Sequence, residues 1–133
     1  MSEEKKIKVV LLEPGKLART AEIGTSIEDL QNAVDGLIEP FYPFEEQVCI
    51  VCNDEGKINS MLPNRSVKNK DGVMVDFIFG PAFICDCRGE SFDSLSDEQI
   101  ARYTKMFRYP EHLARLNGKL IGIPFNPQRE HER

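Results

Sequence analysis

Apolar residues follow two rhythms along this chain. Between Ile7 and Leu12 the run IKVVLL is short, β-branched and nearly continuous, the pattern of a strand covered on both faces. Pro14 and Gly15 suit the central positions of a type II turn, the proline presetting φ and the glycine accepting a positive one. ARTAEI then alternates outward to Ile23, which predicts a β-hairpin. The period next lengthens. Ile27, Leu30, Val34 and Ile38 fall near one helical face, Thr25 and Glu28 have capping-box spacing, and Gly36 offers a left-handed stop. A hairpin followed by a helix is the opening order of β-grasp folds.

From Leu37 the pattern is extended again, with Pro40 and Pro43 confining LIEPFYPF to a sheet edge or an irregular segment. VCIVC is the clearest strand of the middle. NDEGK at Asn53 to Lys57 is a turn, and KINS is expected to return antiparallel. LPNRSVKNKDG, the longest polar stretch of the interior, reads as a loop. VMVDFIFGPAFICDC gives one long strand or two short ones, bent at Gly80 and Pro81. In the last third, Ser96 with Gln99 forms a capping box and Leu95 with Ile100 a hydrophobic staple. Ile100, Tyr103 and Phe107 mark the inner face up to Pro110. A second short helix through Leu113 and Leu116, stopped at Gly118, leads to the final strand KLIGIPF, and NPQREHER is a frayed end.

Composition narrows the class without naming a chemistry. At 133 residues, 41% hydrophobic and 29% charged, the chain suits one domain able to bury its own core. Its apolar runs are too short or too broken for a bilayer core of ~30 Å, and the glutamates that open it argue against a secretory leader, so a cytoplasmic setting is expected. The net charge of −5 is uneven: residues 91–133 carry six acids against seven bases, residues 1–45 nine against five. Neither end is charged enough to mark a nucleic-acid footprint or an acidic mimic of one.

Four cysteines form two tight pairs, CIVC at Cys49 to Cys52 and CDC at Cys85 to Cys87. A zinc site needs convergent thiolates, usually from a chain that turns sharply between them. Ile50 and Val51 instead favour an extended backbone in which residues three apart point to opposite faces, so Cys49 and Cys52 diverge while Cys85 and Cys87 share a face. The expectation is buried thiols, with no metal and no cofactor. A thioredoxin-like pair would sit at a helix N-terminus, not in a strand. A cysteine nucleophile would need His112 beside Cys87, which spacing alone does not supply. No P-loop, HExxH or GxSxG occurs, and no pair of carboxylates falls in an expected cleft.

Two surfaces remain. PNRSVK places Asn64, Arg65 and Lys68 where an amide, a guanidinium fork and an ammonium could hold a phosphate or carboxylate, although Asn64 can equally bond its own turn and Arg65 pair with Glu55 or Asp76. Arg102, Lys105 and Arg108 lie among Tyr103, Phe107 and Tyr109. That interleaving could stack single-stranded nucleic acid, or be a core face with a solvated basic edge.

VVLLEPGKLARTAEI, SIEDLQNAVDGLIE, CNDEGK, LPNRSV, GPAFICD and LSDEQIARYTKMFRYPE, in this order, resemble the domain of unknown function 3846 over about residues 7 to 125. The resemblance implies an accessory protein of phages or mobile elements in Gram-positive and gut bacteria, brings no established activity, and favours Asn64 and Arg65 as site residues. The reading is therefore a single α+β domain over residues 1–133, with a core of about 7–125 and a tail of 126–133. It has a mixed, mostly antiparallel sheet, an N-terminal hairpin–helix unit in β-grasp-like order and a C-terminal helical pair. Its expected function is a non-catalytic binding or regulatory module acting on a protein or other macromolecule of host or element. The alternatives are a small enzyme or ligand-binding protein that holds an anionic metabolite at the Asn64–Arg65 loop, and nucleic-acid binding through the C-terminal helix.

Overall fold

Three nearly continuous apolar runs become the three inner strands of one sheet. The computed structural model describes residues 5–57 and 59–130. β1 (Lys6–Leu12), β2 (Arg19–Gly24), β3 (Ile38–Phe41), β4 (Val48–Asn53) and β7 (Ala82–Asp86) form a sheet of order β2-β1-β7-β4-β3, every pair antiparallel. Alternation along these strands feeds two separate cores. Val10, Leu12, Val48, Ile50, Ala82 and Ile84 face one side; Val9, Cys49, Val51, Phe83 and Cys85 face the other. The inner strands lack the usual apolar/polar alternation because both faces are covered, which antiparallel sheets less often are.

On one face lies α1 (Ile27–Val34), whose Leu30 and Val34 bury against it. Ser26 caps this helix, its Oγ accepting from Asp29 N at 3.1 Å, one position later than the expected Thr25. Asp35 at φ 59° takes the left-handed position expected of Gly36. On the other face lie α2 (Asp97–Met106) and a two-stranded sheet of β5 (Pro63–Lys68) and β6 (Met74–Phe79). The capping box of Ser96 and Gln99 is present, with bonds of 3.1 and 2.9 Å. Gly15 has φ 74° and Lys16 N donates to Glu13 O at 3.2 Å, as the turn chemistry requires. β3, with Pro40, is an edge strand, and Gly80 and Pro81 separate β6 and β7 into different sheets.

Other expectations fail, each for a physical reason. The polar stretch at Pro63 to Lys68 is not a loop but β5, with Asn64, Arg65 and Ser66 all buried and bonded inside the fold. Lys57, Asn59 and Ser60 lie in turns and not in a return strand, while Ile58 lies outside the described residues. The helix expected through Leu113 and Leu116 is a strand: β8 (Glu111–Leu116) and β9 (Lys119–Pro124) pair as a hairpin, so the described residues do not contain the expected C-terminal helical pair. Asn117 (φ 52°) and Gly118 (φ 82°) form its two-residue turn, and Asn-Gly is the strongest short hairpin signal. A short α3 (Pro127–Glu130) follows; residues 131–133 of the expected tail lie outside the described residues. β1 pairs antiparallel with β7, so the β-grasp analogy stops at the opening hairpin and helix. Among the described residues, no helix is long and apolar enough to cross a membrane.

Candidate functional site

Between α2, the β3–β4 connection and β5 with its turn lies a cleft of about 940 Å³, within the usual size of ligand sites. Pro43, Phe44, Glu45 and Glu46 supply one wall, Tyr103, Met106 and Phe107 of α2 the next, and Ser66, Lys68, Asn69 and Lys70 the third. Tyr109 and Glu111 close the far end.

Glu46 fixes the first wall to the second. Its carboxylate accepts from Tyr103 Oη at 2.6 Å, from Arg102 Nη1 at 3.1 Å on both oxygens, and from Gln99 Nε2 at 3.2 Å. The Tyr103 bond, helped by Arg102 and Gln99 against a smaller opposing effect of burial, holds Glu46 below the ordinary carboxylate range. Burial, with the bond to Glu46, pushes the Tyr103 phenol up. Phe44 packs on the same helix, its ring 4.7 Å from Tyr103 and 6.2 Å from Phe107.

Arg65 occupies the floor and is 1% exposed. A guanidinium has five N–H donors, and here each has an acceptor. Nε donates to Phe107 O at 2.6 Å, Nη1 to Asn64 Oδ1 at 2.6 Å and Glu13 O at 3.2 Å, Nη2 to Lys16 O at 2.6 Å and Arg108 O at 3.4 Å. Burial draws its pKa down to about 10, with Glu111 and Glu13 opposing, so it stays cationic at neutral pH. Asn64 is likewise committed: Nδ2 donates to Leu12 O and Gly80 O, both at 2.8 Å. The structure thus turns these two side chains inward onto backbone carbonyls and leaves no N–H of either for a ligand.

Lys68 differs. It is exposed on the cleft rim and, among the described residues, its ammonium makes no hydrogen bond or ion pair. Nearby, Ser66 is 5% exposed, its N–H donates to Glu111 Oε1 at 3.0 Å, and its Oγ is buried with no partner. Lys70 and Glu45 pair at 3.5 Å, joining the β5–β6 turn to the β3–β4 connection at the rim, with both side chains exposed.

Arg102 and Lys105 lie on α2 and Arg108 just beyond it. Arg102 is held by Glu46, and its guanidinium lies 5.4 Å from the Tyr103 ring centre; Arg108 stacks over Tyr109 at 5.5 Å, and Lys105 is exposed. Tyr103 and Phe107 are core residues and offer no face for a base. His112 stacks on Phe125, ring centres 4.0 Å apart, at the β8–β9 hairpin. The cleft residues that sequence reasoning missed, Phe44, Glu46, Met106 and Glu111, come from separate segments. Their convergence carries no local signal; only the bonds of α2 to Glu46 reveal it.

A family model described as a domain of unknown function, DUF3846, matches residues 7–108, ending at the C-terminus of α2 and short of the 7 to 125 read from the motifs. The matched span holds both cores and most of the cleft, while Tyr109, Glu111 and the β8–β9 hairpin lie beyond it. Comparison with curated proteins and with solved structures finds no match.

Proposed function

Since the chain belongs to the DUF3846 family, whose description carries no activity to transfer, we propose from the cleft that the protein is a non-catalytic binding module seating a segment of a partner macromolecule. The observation that carries this reading is the state of the charged groups around the cleft. Glu46 is held as a carboxylate by Tyr103, and Arg65 spends all its donors on the fold, so neither is free to move a proton or grip a substrate. What faces the opening is adhesive surface: Met106, 56% exposed, with Phe44 and Tyr109 beside it and Lys68 and Lys70 on the rim. The partner is a macromolecule of the host or of a phage or mobile element, met in the cytoplasm. Peptide-display panning on the purified chain tests this. Enriched peptides should bind Met106→Arg about tenfold or more weakly, as for an anchor in a buried pocket. An absence of enrichment, or equal binding by the variant, would remove the proposal.

A second reading, a small ligand-binding protein or enzyme that holds an anionic metabolite, draws on Lys68 and the unpartnered Ser66 hydroxyl two residues away on the same strand. It requires inorganic phosphate or a simple carboxylate to raise the melting temperature, and Lys68→Ala to abolish that rise.

A further inference from the structure

The thiols lie outside the cleft and form an arrangement of their own. Cys49 of β4 and Cys85 of β7 are direct partners in the antiparallel ladder. Their Sγ atoms are 3.7 Å apart, and both residues are 0% exposed. Cys87, two residues beyond Cys85, packs on the same core and is only half-buried. Cys52 belongs to the opposite face, where its Sγ meets Glu39 O at 3.5 Å. Among the described residues, no three potential ligands are grouped so as to hold a metal ion. Two sulfurs facing each other across paired strands need only small side-chain movements to reach a disulfide of about 2.05 Å, since directly opposed residues already have Cα atoms within the usual bridging range.

We propose that Cys49, Cys85 and Cys87 form a dithiol–disulfide centre, in which Cys87 receives oxidation from an organic disulfide and Cys49 and Cys85 close an internal cross-strand bond. The Cys87 thiolate attacks the reagent RSSR, forming Cys87–S–SR and releasing RS⁻. Cys49, as thiolate, attacks Cys87 Sγ and expels the second RS⁻. Cys85 then gives up its proton and as thiolate attacks Cys49 Sγ, breaking the Cys49–Cys87 bond, and the departing Cys87 thiolate takes up that proton. In total, two protein thiols are oxidised to one disulfide and one RSSR is reduced to two RSH. The environment sets the pace of these steps, because only a thiolate attacks. Hydrogen bonding from Cys85, opposed by burial and assisted by Cys87, draws the Cys49 thiol below its ordinary value. The same bond and burial push Cys85 up, and burial pushes Cys87 up to about 11, which makes the expelled Cys87 thiolate a good proton acceptor. Entry through Cys87 is accordingly slow at neutral pH and quickens as pH rises.

The test uses the full, reduced chain and oxidised glutathione, with the reaction followed by intact mass, thiol titration and disulfide mapping. Expected are a loss of two hydrogens, a fall from four free thiols to two, and a Cys49–Cys85 linkage. Cys52→Ser should react at the wild-type rate, and Cys87→Ser at least about tenfold more slowly, because the remaining pair is sealed from the reagent. The linkage map on the unaltered chain stands even if Cys87→Ser fails to fold. A persistent glutathione adduct, a bond through Cys52, a bond between two chains, no reaction, or a zinc increment in the native mass would each overturn the proposal.

Discussion

Arg65 and Glu46 illustrate what single residues do here and how much of it a sequence carries. PNRSVK has the composition of a loop, yet its donors meet carbonyls from segments 42 to 52 residues away, and no local pattern encodes that match. The cysteines were more legible. Strand alternation alone separates Cys49 from Cys52, and the structure places them in opposite cores. Glu46 was invisible, being one glutamate among many until α2 supplies three donors. Its lowered pKa has a consequence with a definite sign. A carboxyl that ionises more readily folded than unfolded stabilises the fold above its unfolded value, about 4.3, and that contribution is lost as pH falls through the lower folded value. At pH 7, Tyr103→Phe should cost about 1 kcal/mol, a charged hydrogen bond discounted because Glu46 is a third exposed. Urea midpoints of wild type and variant should draw together as pH falls below about 4.3 and through the lower folded value. A gap that stayed constant with pH would mean that the Tyr103 hydroxyl contributes independently of the charge on Glu46.

At the scale of elements, those with a local chemical signature were readable. The Pro14–Gly15 turn, the capping box of α2 and the proline-marked edge strand stand where their residues place them. β5 was hidden because its Asn64 and Arg65 side chains are satisfied internally. The β8–β9 hairpin shows the opposite situation, a clear signal outweighed by a weaker one: Leu113 and Leu116 have helical spacing, but Asn117 and Gly118 both adopt the positive φ of a tight hairpin turn. Gly118→Val would force a β-branched residue to φ 82° and should destabilise the protein by about 1 kcal/mol or more, read as a lower denaturant midpoint. An unchanged midpoint would mean that the hairpin adds nothing to global stability, being open already when the cores unfold.

For the whole molecule, the five-stranded sheet between two cores explains why the centre was legible and the periphery was not. Strands covered on both faces announce themselves as continuous apolar runs, whereas the cleft is assembled from edges and connections whose partners are set by the tertiary fold. Arg65 is the residue that joins these layers. From β5 it binds the Pro14–Gly15 turn through Glu13 and Lys16 and the end of α2 through Phe107 and Arg108. Such a knot can be tied only after the segments it gathers have arrived, so it is expected to form late in folding and to govern the lifetime of the folded state more than the speed of reaching it. Arg65→Lys, whose single ammonium cannot serve five acceptors, should leave refolding within about twofold of wild type and speed unfolding about tenfold or more. Stopped-flow mixing would show the difference as a lifted unfolding limb over an almost unmoved folding limb. The buried arginine then acts as a latch, setting how long the cleft keeps its shape.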